Sequence, residues 1–361
     1  MRKSLDSIVL MNYIKYDRLN ELIKYAYSGS SANEINLYID LYPIIRSIYS
    51  CTYQVNYNGF MDLVPLLINL CAHYRFFFKK GYGVLATIYL VVGRNHPELS
   101  TMIVPEYNLA MRKREQGPSH SIMDEMVTSN LQIMEIMCPY LPYIHFVNTE
   151  FETSVAIANI INNQTNKSIP NLVISRDIYP LQLVAQFPNT SFIHPVKNTE
   201  GQFSEDISVI LKSIKTADDI LEFWKFVYSN RKLNSGISED LMIHPINFSS
   251  VLAFSGMSER SIKSTINFPT IMNMIYQIIG NSPTQCSIET IFNNFNLDNR
   301  VSRQSIIDKF HVIDVPYQLN SIYCSSSEAL LQKFENKVDP ITVKAICDKY
   351  FKNIPINLDK L

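Results

Sequence analysis

Short, almost wholly apolar runs alternate along the chain with longer stretches of helical periodicity. The runs are Ile35 to Ile39 ending at Asp40, Val84 to Val92, Ile144 to Val147, and Leu172, Val173 and Ile174. Apolar runs of this length, rich in β-branched residues and bounded by polar ones, predict strands buried on both faces. Between them, Ile44, Ile45, Ile48 and Tyr49 repeat at helical spacing, and Phe60 to Lys80 predicts a long apolar helix. Met123, Met126, Leu131 and Met134 mark a helix over Ile122 to Met137, and Glu150 to Asn162 predicts another. Strand, helix, strand at these spacings predicts an α/β fold with a parallel sheet and helices on its faces.

Outside this alternation the pattern changes. Residues Ile8 to Met11, with Leu19, Leu22, Ile23 and Tyr25, suit one or two short helices, followed by a Gly29-centred joint at Ser28 to Ala32. Residues His96 to Ser121 are polar, contain Arg112-Lys113-Arg114, and predict an extended excursion. Pro170 to Pro195 predicts a strand, a turn carrying Asp177, a helix start and a second strand. Beyond it a polar segment leads through Ile207 to Lys215 to Trp224, a helical cluster follows over Asn247 to Ile279, and the remainder is mixed and mostly helical. The expected organisation is a helical extension at 1–34, an α/β domain at 35–200 with its excursion near 96–121, and a mainly helical part at 201–361.

Composition narrows the class. A 361-residue chain with 47% hydrophobic residues has ample material for a core, and a mean hydropathy of −0.01 suits a soluble globular protein. Net charge is −1, whereas nucleic-acid binders usually carry a basic excess, so any such role must rest on a local patch. The six cysteines are scattered with no zinc-like spacing, which favours reduced, buried thiols. Only 10 glycines beside 21 tyrosines and many Asn and Ile suggest an AT-rich coding genome of the viral kind. No secretory leader pattern and no apolar run of membrane length are present, and the expected location is cytoplasmic or nucleoid-associated.

Asp40 and Asp177 close apolar strands, the position from which parallel sheets deliver side chains to a site at their C-terminal edge. The same residues equally suit turns and helix N-caps. Glu150 and Glu152 precede a helix, where its dipole favours acids with or without a ligand. Arg112-Lys113-Arg114 suits a solvated loop or a phosphate-binding one. No phosphate loop, nucleophile elbow or histidine pair at metal spacing is present.

The pieces occur in the order found in the flap endonuclease and 5′→3′ exonuclease superfamily. Ser175-Arg-Asp177-Ile-Tyr179-Pro-Leu-Gln182-Leu183 resembles the family's SxDxDxxQL segment, with Tyr179 at the second aspartate. Asn36-Leu-Tyr-Ile-Asp40 resembles its opening strand, Val92-Gly93 its Asp-Gly, and Pro105-Glu106-Tyr107-Asn108 with Arg112 its PEYK turn. Thr149 to Ser154 fits its ExDD helix start in two registers, one using Glu150 and Glu152, the other Glu152 alone with Ser154 and Val155 at the aspartates. Ser250 to Ser264 follows its helix–two-turn–helix segment, expected over 247–280, with Met257 and Arg260 at the aspartates.

This resemblance implies a PIN-like fold and a metal site of which Asp40, Glu150, Glu152 and Asp177 remain, with Asp40 and Asp177 as the catalytic pair. Magnesium or manganese would be the ion if any is retained. It further implies a DNA-binding set of Tyr107, Arg112, Lys113, Arg114 and Lys263. Two-ion phosphodiester hydrolysis needs several carboxylates, and Val92, Tyr179 and Arg260 remove three. The expectation is therefore a protein binding branched or 5′-ended DNA, in replication or a kindred process, with weak or lost hydrolysis. An active metal-dependent 5′ nuclease and an interaction protein that kept only the fold stand as alternatives; protein partners are open, and no membrane role is expected.

Overall fold

A computed structural model of the chain describes residues 33–42, 63–93, 98–109, 112–113, 118–195, 208–230, 242–321 and 339–350. The helical extension expected at 1–34, apart from Asn33 and Glu34, lies outside the described residues, as do the Gly29 joint, the helix expected after Tyr42 and Arg114.

Six strands form one sheet: β1 Glu34–Asp40, β2 Leu85–Val92, β3 Ile144–Asn148, β4 Asn171–Ile174, β5 Thr190–Pro195 and β6 Ser208–Leu211. Their spatial order is β3-β2-β1-β4-β5-β6. The first five run parallel and β6 pairs antiparallel with β5 at the edge. The chain therefore builds outward from β1 through β2 to β3, then returns to lay β4 on the other flank of β1. That reversal opens a crevice beyond the carboxyl ends of β1 and β4.

The period-two alternation of each strand splits its residues between two cores. Leu37, Ile39, Ile88, Leu90, Ile174 and Ile193 pack on one face with Leu67, Cys71 and Phe78 of the helix Leu63–Tyr82. Tyr38, Val91, Val173 and Phe192 pack on the other with the helix Thr153–Asn162. Asp40 shares the parity of Tyr38 and so belongs to this second face. The second core continues without a break into Trp224, Phe248, Phe254, Phe268, Phe292 and Ile313. The helices Phe248–Ser255, Phe268–Ile279, Ile288–Phe295 and Arg303–Ile313 are thereby fastened to the sheet. Asn267, Ser287 and Ser302 cap the last three, each accepting from the backbone N–H three residues on.

The excursion expected near 96–121 falls partly within the described residues. A helix runs over Glu98–Ile103, Val104 and Tyr107 are buried in the second core, and the next helix begins at Pro118. Val104 and Tyr107 are the apolar anchors that pin the described turn. Among the described residues no helix is long and apolar enough to cross a membrane. Cys71, Cys138 and Cys286 are buried thiols, as their scatter predicts.

Candidate functional site

The acids expected at strand ends come together on the second face. Asp40 ends β1 at 4% exposure, and its Oδ2 accepts from Ser175 Oγ at 2.5 Å. Ser175 follows β4, and its hydroxyl also accepts the Asp177 N–H at 3.0 Å. One serine thus ties both aspartates to the adjacent ends of β1 and β4, giving the Ser-x-Asp spacing a physical reason. Asp177 Oδ1 accepts the Tyr179 N–H at 3.1 Å, an Asx turn that starts the next 3₁₀ helix.

Glu152 arrives from β3. It is the N-cap residue of the helix Thr153–Asn162, yet its side chain makes no capping bond. It turns inward at 2% exposure, where Oε1 accepts from the Tyr107 hydroxyl. Gly93 makes this possible. A Cβ there would stand 2.2 Å from Thr153 N and 2.5 Å from Phe151 O. The Gly93 N–H instead donates to Thr153 Oγ1 at 3.1 Å.

Arg260 closes the cluster from the C-terminal helices. It sits in a tight loop after Phe248–Ser255, where Gly256 has φ +75° and Ser261 φ 58°. Met257 and Ile262 exchange backbone bonds of 2.8 and 3.0 Å across the loop. Lys309 Nζ donates to Lys263 O at 3.0 Å, and the Asn108 N–H to Arg260 O at 2.8 Å. From this anchored loop the guanidinium pairs Nη2 with Asp177 Oδ2 and stands 3.6 Å from Glu152 Oε2. Its Cζ lies 5.1 Å from the centre of the Tyr179 ring. Tyr179 is itself buried, donating to Val312 O and accepting from Gln318 Nε2, both at 3.0 Å.

Burial dominates the electrostatics. It pushes the Asp40 carboxyl up to about 7, against the Ser175 hydrogen bond, with Asp177 adding repulsion. It likewise pushes Glu152 up to about 7, against the pull of Arg260 and Tyr107. Burial works against the Arg260 charge as well, but Asp177 and Glu152 outweigh it and hold the guanidinium firmly protonated. Tyr107 and Tyr179 are raised well above the ordinary phenol range by burial and then by Glu152.

Several sequence expectations are corrected. Glu150 is exposed while Glu152 is buried, so only the register with Glu152 alone agrees with the structure. Tyr107, expected to face DNA, is fully buried against Glu152. Val92 belongs to the opposite core, and the residue paired with Asp40 across β1 and β2 is Val91. Arg112 is half-buried and donates to Pro105 O, Lys113 and Lys263 are exposed, and Arg114 lies outside the described residues. Spacing within the sequence carried no sign of the Tyr107–Glu152 bond, the Thr153 link or the Asn108 anchor, which join segments far apart in the chain.

These donors do not fit a divalent ion. Among the described residues no three His, Cys, Asp or Glu side chains stand together as a ligand group. The expected set of Asp40, Glu150, Glu152 and Asp177 is missing Glu150, and three carboxylate oxygens of the rest already accept protein hydrogen bonds. A fourth faces a guanidinium where a hard cation would need oxygen.

The parallel-core sheet and its strand order are those of an α/β PIN-like fold. Among solved structures, the 5′-exonuclease of bacteriophage T5 with bound zinc ions matches 88% of this chain and 98% of its own, at 12% identity and a TM-score of 0.50. A T5 flap endonuclease complex with DNA and metal ions matches 87% of this chain and 99% of its own, at 12% identity and a TM-score of 0.49. A further T5 protein co-crystallised with metal ions matches 86% and 98%, at 13% identity and a TM-score of 0.48. At such identities the likeness shows the fold alone. No family model and no curated protein matches the sequence.

Proposed function

We propose that this chain is a flap-endonuclease-like protein that binds branched or 5′-ended DNA and has weak or no phosphodiesterase activity. The observation that carries the reading is the ion pair of Arg260 with Asp177 at the crevice of a 5′-exonuclease fold. Hydrolysis in this fold class draws on cations held among carboxylates. Here one carboxylate oxygen is committed to an arginine that cannot give up its charge. Surface charge for DNA would come from Lys113 and Lys263, which are exposed, together with Arg112 and Arg114.

Binding of a 5′-flap duplex, read by fluorescence anisotropy, tests the first half. Affinity should fall with salt at a slope of about −0.9 per phosphate contact. The triple change Arg112→Ala, Lys113→Ala, Arg114→Ala should weaken binding about equally across sequences, because phosphate contacts carry no base information. Unchanged affinity in the triple variant, or no binding at low salt, would favour a protein that kept the fold for protein interaction, a reading the net charge of −1 supports. Incubation of a labelled flap with magnesium or manganese tests the second half, with little cleavage expected. Clear turnover lost in Asp177→Ala would instead establish an active nuclease.

A further inference from the structure

We infer that Asp314 is held as the neutral acid in the folded chain, its proton bridging Asp314 Oδ1 to Gln318 Oε1, and that losing this proton loosens the helix Val315–Ser321 from the body of the protein. The seam lies between the sheet and the C-terminal helices, and nothing in it depends on DNA binding. Asp314 ends the helix Arg303–Ile313 at 3% exposure, and Gln318 stands one turn further on at 1%. Asp314 Oδ2 accepts the Tyr317 N–H at 2.9 Å, whereas Oδ1 has no hydrogen-bond partner. Gln318 Nε2 donates to Val312 O at 2.8 Å and to the Tyr179 hydroxyl at 3.0 Å, whereas Oε1 has no partner either. Turning the amide over would not mend this, because Val312 O would then face a second acceptor.

The backbone brings the two orphan oxygens together. Gln318 N–H donates to Asp314 O at 3.1 Å, and the Gln318 side chain reaches back to residue 312, so both its ends lie over the chain that carries Asp314. Two buried acceptors one helical turn apart lack a donor, and a proton on the carboxyl serves both. The neighbours supply neither that donor nor a countercharge. Ser249 gives its one hydroxyl proton to Gln182 Oε1 at 3.2 Å, and the Val315 N–H goes to the same oxygen at 3.0 Å. The helices Thr153–Asn162 and Phe248–Ser255, packed against this seam, carry no ionisable side chain. Tyr179 faces it from the 3₁₀ turn, and Tyr317 and His311 stack on each other at 3.8 Å from the two helices. Burial keeps His311 low. Arg303 pairs with Asp298, Asp308 accepts from Gln304, and Lys309 turns to Lys263 O. Burial accordingly raises the Asp314 carboxyl; the Tyr317 N–H, Ser249 and Gln285 oppose it, and no charged side chain does. Ionisation would set a carboxylate against the bare Gln318 oxygen. Gln318 would withdraw, and with it the bond to Tyr179, whose ring faces Arg260.

The stability lent by a neutral acid is whole below its ordinary value of 3.8 and is lost as pH rises through the raised value of the folded chain. Asp314→Asn in the full-length chain tests this, because its amide is a permanent donor toward Gln318 and keeps an oxygen for the Tyr317 N–H. Melting temperatures of variant and wild type should diverge from about pH 5 to about pH 9, the variant standing several degrees higher at the alkaline end. Asp40 and Glu152 are common to both chains and cancel from the comparison. At about pH 9, amide exchange over 315–321 should be slower in the variant. Adding Gln318→Leu should remove the variant's advantage, since the donor then has no acceptor. An advantage that survives Gln318→Leu would overturn the inference. So would a difference that stays constant with pH, the result expected if a trapped water serves both oxygens and Asp314 is ionised. Should Asp314→Asn not fold, the side-chain carboxyl carbon resonance of Asp314 in wild type decides at about pH 6. The shift of a neutral acid supports the bridge, and that of a carboxylate rules it out.

Discussion

Asp40 shows how one buried carboxyl makes stability depend on pH. Its ordinary value is 3.8, and burial raises it to about 7 in the folded chain. The folded state therefore holds a proton that the unfolded state has released throughout that interval. Stability falls as pH rises from about 4 through about 7 and levels off above it. Asp40→Asn keeps an oxygen for Ser175 and has no charge to desolvate. It should be more stable than wild type by up to about 4 kcal/mol at pH 8, with the gap closing toward pH 4. Denaturant titrations at the two pH values check this; an equal stability difference at both would remove Asp40 from the account. Tyr179 shows the reverse trade. Its hydroxyl and ring are absorbed into the contact with Val312, Gln318 and Arg260. Tyr179→Asp would accordingly bury a charge in that contact and destabilise the chain rather than rebuild a ligand set.

At the scale of elements, the site depends on two close approaches. The end of β2 touches the start of the helix Thr153–Asn162 through Gly93, with backbone atoms where a Cβ would be. Gly93→Ala should cost about 1–3 kcal/mol, because the obstruction is backbone and cannot rotate away. It should also displace Glu152 from Tyr107, visible as increased amide exchange over 150–155. The second approach is the turn Pro105–Asn108 against the Arg260 loop. There Asn108 adopts φ 54°, a conformation Asn tolerates better than most residues. Through Tyr107 and Asn108 this turn touches both Glu152 and Arg260. Its buried role follows from those two contacts and owes nothing to its polar surroundings.

At the scale of the whole molecule, sheet and C-terminal helices share one apolar core. Gln182 is one polar fastener between them. Its amide donates to Tyr179 O at 3.1 Å and Ile313 O at 3.2 Å, while its Oε1 accepts from Val315 N at 3.0 Å and Ser249 Oγ at 3.2 Å. Gln182→Leu would leave those partners buried without their bonds, at a cost of about 2–4 kcal/mol. Far-ultraviolet circular dichroism should show the sheet and these helices unfolding in one transition in wild type, with a lower midpoint in the variant. Two separated transitions in wild type would contradict a shared core.

The sequence by itself determined the first five strands and their parallel arrangement, because apolar runs of strand length between helical periodicities leave few other arrangements; the antiparallel edge strand Ser208–Leu211 was not legible in it. It also placed Asp40 and Asp177 at strand ends, since each apolar run stops at a polar residue whose position in the chain is local information. Which face each residue meets was another matter. Val92 and Val91 look alike in the chain, and only the pairing with β1 puts Val91 beside Asp40. Glu150 and Glu152 are equally acidic and equally near the helix start, and only the contacts of the second with Tyr107 and Arg260 tell them apart. Arg260 is the furthest case. Its partner Asp177 is 83 positions away, and pairing across that separation is decided by how the C-terminal helices dock on the sheet edge. Local pattern sets the elements, whereas the charge that fills the crevice is set by which distant loop the packed core brings to it.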